Sequence, residues 1–297
     1  MRIGLQIPRF NWPGGPDAIA GRLAEIARTA EEAGFASIWV MDHLLQIPFF
    51  GAVEDPMLES YTTLGYLAGV TERIRMGPMV GAVVFREPAL LIKAATTLNV
   101  LSRGRSYFSI GSCWYEDEAR ALGLPWPERN VRFQMVEDVL QLAHQMWRDD
   151  DGVFEGRHVQ APRPLNRPQP VGGRRSPILI GGNGEQRTLR LVAEYGDACN
   201  LLSLQPEQVR AKLEILERHC DAVGRTYEEI ERTSLNPVRL GGDGMSPDEM
   251  VRWLRAMAEA GSQHAIVNLP DVHELRSLEI FGRDIIPQIT GATVASR

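Results

Sequence analysis

The residues best suited to chemistry in this chain are an adjacent acid and imidazole, Asp42-His43, which close the apolar run Ile38-Trp39-Val40-Met41. An imidazole titrates near neutrality, so His43 can give or take a proton at physiological pH, and Asp42 beside it can orient a ring or a ligand hydroxyl. A histidine at a strand end can also do no more than hydrogen-bond a neighbour. A metal role has little to stand on: the chain holds neither an HExxH motif nor a clear His/His/carboxylate set.

A second feature is the turn Gly181-Gly182-Asn183-Gly184-Glu185, which follows the apolar Ile178-Leu179-Ile180 and precedes a helical pattern over residues 186–194. Free backbone N–H groups in such a turn, aided by the dipole of the following helix, can hold a phosphate. The same glycines can equally make nothing more than a tight turn. A third is Gly111-Ser112-Cys113-Trp114-Tyr115, leading into Glu116-Asp117-Glu118. Cys113 has no sequence signature of an activating partner and reads as a small thiol lining a pocket, with Trp114 as a wall. The three acids stand at a helix start, where they favour the dipole, and read as capping, solvated residues.

These features cooperate only if the fold brings them to one place. Helix, glycine stop and buried strand recur three times, at Ala33-Gly34, Tyr195-Gly196 and Ala260-Gly261. A glycine at such a join can take the left-handed conformation that ends a helix. Strands are expected at residues 3–7, 37–41, 75–84, 106–110, 177–180, 198–202, 233–240 and 265–267, with helices at 17–33, 89–101, 130–147, 186–194 and 247–258 among them. Strictly alternating strands and helices imply parallel strands joined by right-handed crossovers. Eight strands favour an α/β fold of the closed (β/α)8 TIM barrel type over an open doubly wound sheet, which would need a GxGxxG fingerprint where this chain reads Pro8-Arg9-Phe10-Asn11-Trp12-Pro13-Gly14-Gly15. In a barrel the active site lies at the carboxyl ends of the strands, so Gln6, Asp42, His43, Met79, Val80, Gly111, Ser112, Cys113, Gly181 and Asn200 would converge there. Long loop insertions are expected at 44–56 and 149–176, the latter with a small hairpin of residues 153–155 and 158–160. Loops of that length in compact domains usually serve as lids or binding segments.

At 297 residues the chain suits one barrel domain, 1–297, and 44% hydrophobic with 24% charged residues is the composition of an ordinary folded protein. A net charge of −6 argues against nucleic acid as a general partner. Cys113, Cys199 and Cys220 are widely spaced, with no CxxC pair, and read as reduced thiols. The start Met1-Arg2-Ile3-Gly4-Leu5 has no secretory pattern, and no run reaches the roughly 18 to 20 apolar residues of a membrane span. A cytoplasmic, soluble protein that does not bind membranes is the expectation.

Several stretches together resemble the bacterial luciferase-like monooxygenase superfamily and, within it, the oxidoreductases that depend on the deazaflavin coenzyme F-420. They are Trp39-Val40-Met41-Asp42-His43, Pro88-Ala89-Leu90-Leu91-Ile92-Lys93-Ala94-Ala95-Thr96-Thr97-Leu98 with Ser102-Arg103-Gly104-Arg105, Gly111 to Glu118 running on to Gly123-Leu124-Pro125-Trp126-Pro127, and Ile180-Gly181-Gly182-Asn183-Gly184. The resemblance implies a (β/α)8 barrel that binds a flavin or deazaflavin across the strand ends. It implies a backbone bulge after the third strand, often with a non-prolyl cis peptide, under one ring face at Met79-Val80. It makes His43 a cofactor contact or proton donor, Asp42 a further contact, and Gly181, Gly182, Asn183 and Gly184 the phosphate grip. This chain departs from the pattern at Gly77-Pro78-Met79-Val80-Gly81-Ala82, where relatives often place threonines, and at Ser112-Cys113, where they often have Ala-Gly.

The function expected is hydride transfer between F-420 and a small organic substrate, with His43 as the catalytic residue. Asp42, Met79, Val80, Gly111, Ser112, Cys113 and the Gly181–Gly184 turn would hold the cofactor, and Gln6, Trp114 and Asn200 would line the substrate pocket. An FMN-dependent monooxygenase is the alternative enzyme, and a non-catalytic flavin-binding barrel the alternative from another class. Relatives of this kind are commonly dimers, so the resemblance also implies a homodimer.

Overall fold

In the computed structural model, which describes residues 1–291, the elements begin with β1 (Arg2–Ile7), α1 (Pro16–Glu32), β2 (Ser37–Val40), α2 (Ser60–Val70), β3 (Arg75–Pro78), α3 (Pro88–Leu101) and β4 (Phe108–Ile110). There follow α4 (Glu116–Ala121), α5 (Arg129–Trp147) and a hairpin of β5 (Phe154–Glu155) and β6 (Gln160–Ala161). The chain continues through β7 (Ile178–Gly181), α6 (Thr188–Tyr195), β8 (Ala198–Leu202), α7 (Pro206–Val223), β9 (Glu231–Pro237), α8 (Pro247–Glu259) and β10 (His264–Asn268). Helical turns α9 (Arg276–Ile280) and α10 (Ile286–Thr290) finish the described residues, and the end of the expected 1–297 domain, residues 292–297, lies outside them.

Setting the hairpin aside, the eight strands form one parallel sheet in the order β3-β2-β1-β10-β9-β8-β7-β4. Its two edges meet through single bridges, Met76 with Ser106 and Ala82 with Gly111, so the sheet curls into a (β/α)8 barrel. The open doubly wound alternative is thereby excluded. The barrel interior is filled by Trp39, Met79, Tyr107, Leu179, Ala198, Leu235 and Ile266, a packed core and not a pore.

At the amino-terminal end the interior is polar but satisfied. Trp39 Nε1 donates to Ser37 Oγ at 2.6 Å, Ser37 Oγ meets His264 Nε2 at 2.8 Å, and His264 Nδ1 meets Glu231 Oε1 at 2.9 Å. Glu231 also receives the Tyr107 hydroxyl at 2.9 Å and pairs with Arg2 at 2.5 Å. With Trp39 able only to donate and Glu231 ionised, every partner is matched when His264 is neutral and carries its proton on Nδ1. The plug closes one end of the barrel and leaves the other for a site.

Local chemistry explains the element ends. Gly34 (φ 91°) and Gly261 (φ 106°) take the left-handed conformation expected after α1 and α8. Gly196 does not: its φ is −83°, and it is small because an added Cβ would stand 3.1 Å from the Val192 carbonyl oxygen. Arg105, from the motif after α3, donates to the carbonyls of Ala68, Thr71 and Ile74 at 2.9, 3.0 and 2.9 Å, satisfying groups that the end of α2 leaves free.

Most element ends shift by one residue from the sequence expectation, and several shift further. β3 stops at Pro78 although apolar residues run on to Val84; β4 starts at Phe108, β9 runs from Glu231 to Pro237, and α6 begins at Thr188, after a further turn. The segment 149–176 runs along α3 and α5, with Asp138 accepting from the His158 and Val159 amides and Asn166 donating to Thr96, and it supplies no residue to the cavity described below. No helix among the described residues is long and apolar enough to cross a membrane.

Candidate active site

β2 ends at Val40, so Asp42 and His43 do not alternate across a strand, and both reach the same cavity. Asp42 is 3% exposed and its carboxylate is fully engaged by the protein. Arg86 donates to both oxygens at 2.8 Å, the Ala82 amide donates at 2.8 Å, and the Ser60 hydroxyl completes the set. Arg86 in turn pairs with Glu59, which caps α2 by accepting the Tyr61 and Thr62 amides. The acid that the sequence offers as a ligand contact therefore acts first as an anchor, binding the end of β2 to the start of α2 and to the loop after β3.

That loop is the cavity floor. The Met79–Val80 peptide is cis, as the resemblance implies, and the ladder between β3 and β4 is interrupted there. The Ser109 side chain replaces the missing ladder bonds: its hydroxyl donates to the Pro78 carbonyl and accepts from the Gly81 amide at 3.4 Å. Gly81 must be glycine, because a Cβ would fall 2.6 Å from the Ser109 carbonyl oxygen. From the other side Gln6 donates to the Met79 carbonyl at 3.4 Å and accepts from Asn268 at 2.7 Å. Asn268, which the sequence reading did not single out, lines the cavity and keeps a buried Oδ1 with no protein partner.

His43 stands at the wall, its side chain 14% exposed, with Nδ1 2.7 Å from Glu118 Oε2. Glu118 corrects the expectation of a solvated acid: its side chain is fully buried, and its other oxygen accepts the amides of Leu44 and Leu45. Glu116, by contrast, pairs at the surface with Arg120, as a helix-start acid should. A carboxylate oxygen accepts, so in the neutral imidazole Nδ1 carries the hydrogen toward Glu118 and Nε2 presents its lone pair. Trp114 and Tyr115 flank the imidazole edge-on, with ring centroids 5.7 and 6.2 Å away.

Cys113 lies in the same wall with φ 60°, the left-handed region in which glycine is the usual residue. The glycine that the resemblance implies here would take this conformation without strain. Burial pushes its thiol up to about 11, so it is protonated at neutral pH and lines the pocket without acting as a nucleophile.

At the end of β7, Gly181 and Gly182 line the cavity, and Gly182 (φ 130°) donates its amide to the Asn200 carbonyl at 3.0 Å. A Cβ at Gly181 would meet Val80 at 2.7 Å, so its absence lets the floor and the turn lie side by side. Asn183 turns away and clamps Leu202, donating at 2.9 Å to its carbonyl and accepting its amide at 2.8 Å, while the Gly184 carbonyl accepts from Leu189 at 3.0 Å. No side chain caps α6, and of its first amides that of Leu189 is taken up by the Gly184 carbonyl.

The cavity is about 430 Å³. Of the residues expected to meet in it, Gln6, Asp42, His43, Met79, Val80, Ser112, Cys113, Trp114, Gly181 and Gly182 do. Gly111 is instead part of the barrel wall, bridged to Ala82, and Asn200 is buried below the floor, accepting from Thr233 at 2.8 Å. Ile47, Phe49, Phe50, Leu202 and Leu235 are additional lining residues.

Residues 1–269 match the family model described as luciferase-like monooxygenase. An F-420-dependent glucose-6-phosphate dehydrogenase of Kineococcus radiotolerans is 27% identical over 256 residues, 84% of this chain and 73% of that protein. The pyrimidine monooxygenase RutA of a Bradyrhizobium strain is 27% identical over 270 residues, 83% of this chain and 73% of that protein. Among solved structures, an F-420-dependent secondary alcohol dehydrogenase in complex with an F-420–acetone adduct superposes with a TM-score of 0.83 at 18% identity, covering 97% of this chain and 98% of that one.

Proposed function

The chain belongs to the luciferase-like monooxygenase family, and we propose that within it this protein is an oxidoreductase that moves a hydride between F-420 and a small organic substrate. The observation that carries the reading is the His43–Glu118 pair, buried on one side and open to the cavity on the other. Hydride removal from an alcohol must be accompanied by loss of the hydroxyl proton, which in this reading His43 Nε2 takes; in the reverse direction His43 returns it to a carbonyl oxygen. Glu118 holds the imidazole in the required tautomer and stabilises the cation that forms.

The residues fit a flat ring with a phosphate-bearing tail. The cavity-lining backbone at Gly81, Gly181, Gly182 and Met79–Val80 would face the ring, and the Gly181–Gly184 turn before α6 would take the phosphate. Bound there, a deazaflavin supplies two-electron hydride chemistry, and the protein supplies position, shielding and the proton. The F-420-dependent dehydrogenase relative supports this cofactor, and the monooxygenase relative supports FMN as the second reading.

Titration of pure protein with F-420 and with FMN, followed by cofactor fluorescence, separates the two. Micromolar binding of F-420 is expected. Micromolar binding of FMN with none of F-420 would overturn the leading reading in favour of the monooxygenase.

A further inference from the structure

We propose that the substrate of this cavity is an uncharged, largely apolar small molecule carrying one hydroxyl or carbonyl group, and not a phosphorylated or carboxylated one; this rests on the oxidoreductase reading above. The floor and the glycine turn are the surfaces that fit a cofactor. Apart from the Asp42-His43 pair, the rest of the lining is mostly apolar, led by Ile47, Phe49 and Phe50 from the loop after β2, Trp114 from the loop after β4 and Leu202 at the end of β8, with the small polar Ser112 and Ser203 among them. Phe49 is 72% and Trp114 62% exposed, although both are large apolar side chains. Exposed apolar surface gathered around a cavity mouth marks a face that a ligand covers.

Among the described residues no lysine or arginine lines the cavity. Two arginines that contact lining residues from behind are committed elsewhere. Arg86 is held by Asp42 and Glu59, while Arg132 donates to the Ser112 carbonyl at 3.0 Å and to the Pro127 carbonyl at 2.6 Å, with its guanidinium 4.0 Å from the Trp126 ring centroid. A phosphate or carboxylate brought against the aromatic wall would lose its hydration and find no cation in exchange. With Asp42 held by Arg86 and Cys113 a thiol, His43 is the imidazole on this wall that can exchange a proton with a ligand, and it serves a single hydroxyl or carbonyl. The sugar phosphate for which the Kineococcus relative is named has the wrong charge for this lining.

The test is displacement of the neutral fluorophore Nile red from the F-420-loaded protein and from the protein alone, by straight-chain methyl ketones of increasing length and by glucose 6-phosphate. Each added methylene should tighten binding about threefold to fourfold until the cavity is full. Glucose 6-phosphate should displace nothing at millimolar concentration. Trp114→Ala, at an exposed position, should flatten the chain-length trend while leaving thermal unfolding unchanged. Displacement by glucose 6-phosphate, or affinity independent of chain length, overturns the substrate class even if F-420 binds normally. If neither F-420 nor FMN binds but the ketone series holds, the oxidoreductase reading fails and the apolar ligand class is supported.

Discussion

His43 Nδ1 and Glu118 Oε2 lie 2.7 Å apart across 75 residues of sequence, and this contact fixes which imidazole nitrogen faces the cavity. His43→Ala should keep the fold and cofactor affinity yet lose roughly 100-fold or more in kcat, the usual scale for a general acid–base group. Glu118→Gln should lose a comparable factor for another reason: an amide N–H facing Nδ1 forces the opposite tautomer. Steady-state kinetics beside cofactor titration distinguishes the two effects. Unchanged turnover in His43→Ala would remove the proton-transfer assignment.

Arg86 and Asp42 make a bidentate pair with side chains only 12% and 1% exposed. Arg86→Ala leaves a buried carboxylate without its counter-charge and should cost about 3 to 5 kcal/mol in urea unfolding. Arg86→Lys should fall between, since an ammonium cannot span both oxygens. The double variant Arg86→Ala with Asp42→Ala should lose less than the sum of the single losses, because the two act as one unit. Additive losses would mean that the pair does not hold the β2 end and the loop after β3 together.

The barrel was legible because its buried strands are short apolar runs punctuated by glycine and proline, and the helical spacing of Val209, Leu213, Leu216 and Cys220 would equally have marked α7. α2 was harder, since its apolar residues surround the helix and leave no clear stripe. The letters stay apolar past Pro78 and so extend β3 to Val84; what ends the strand is the side chain of Ser109, 31 residues later, taking over the ladder bond to Pro78. In the sequence Glu118 has the marks of a cap, since it sits in an acidic run at a helix start. Its inward turn toward residue 43 is a tertiary fact with no local trace, and the same holds for the partnership of Asp42 with Arg86.

Stability should fall on acidification through the polar plug at the amino-terminal end of the barrel. Burial opposes ionisation of Glu231, but donation from His264, Arg2 and Tyr107 outweighs it and brings its pKa from 4.5 down to about 2. Burial also pushes His264 below its ordinary 6.5, against the pull of Glu231. Both groups bind fewer protons folded than unfolded, so each stabilises the fold above its unfolded pKa. The His264 contribution is lost as pH drops below 6.5, and that of Glu231 as pH drops from 4.5 toward 2. Melting temperature measured against pH should show both limbs. Glu231→Gln should flatten the lower one, and an unaltered acid limb in that variant would assign the loss to other carboxylates.

Asn268 and Gln6 form an amide relay whose orientation is set at its far end. Gln6 donates to the Met79 carbonyl, so its own oxygen accepts from Asn268, and Asn268 is left with Oδ1 as a buried acceptor beside the cavity. A buried acceptor without a partner carries a desolvation cost of about 1 to 3 kcal/mol, which a ligand N–H or O–H would offset. Asn268→Leu removes that cost along with the bond to Gln6, so unfolding should shift little, whereas affinity for the ring-bearing cofactor should fall about tenfold. Gln6→Leu frees the Asn268 amide to turn and should weaken binding less. Fluorescence titration of each variant beside its urea curve reads both quantities. A large stability loss with unchanged cofactor affinity would make the relay a brace for the Met79 carbonyl and nothing more.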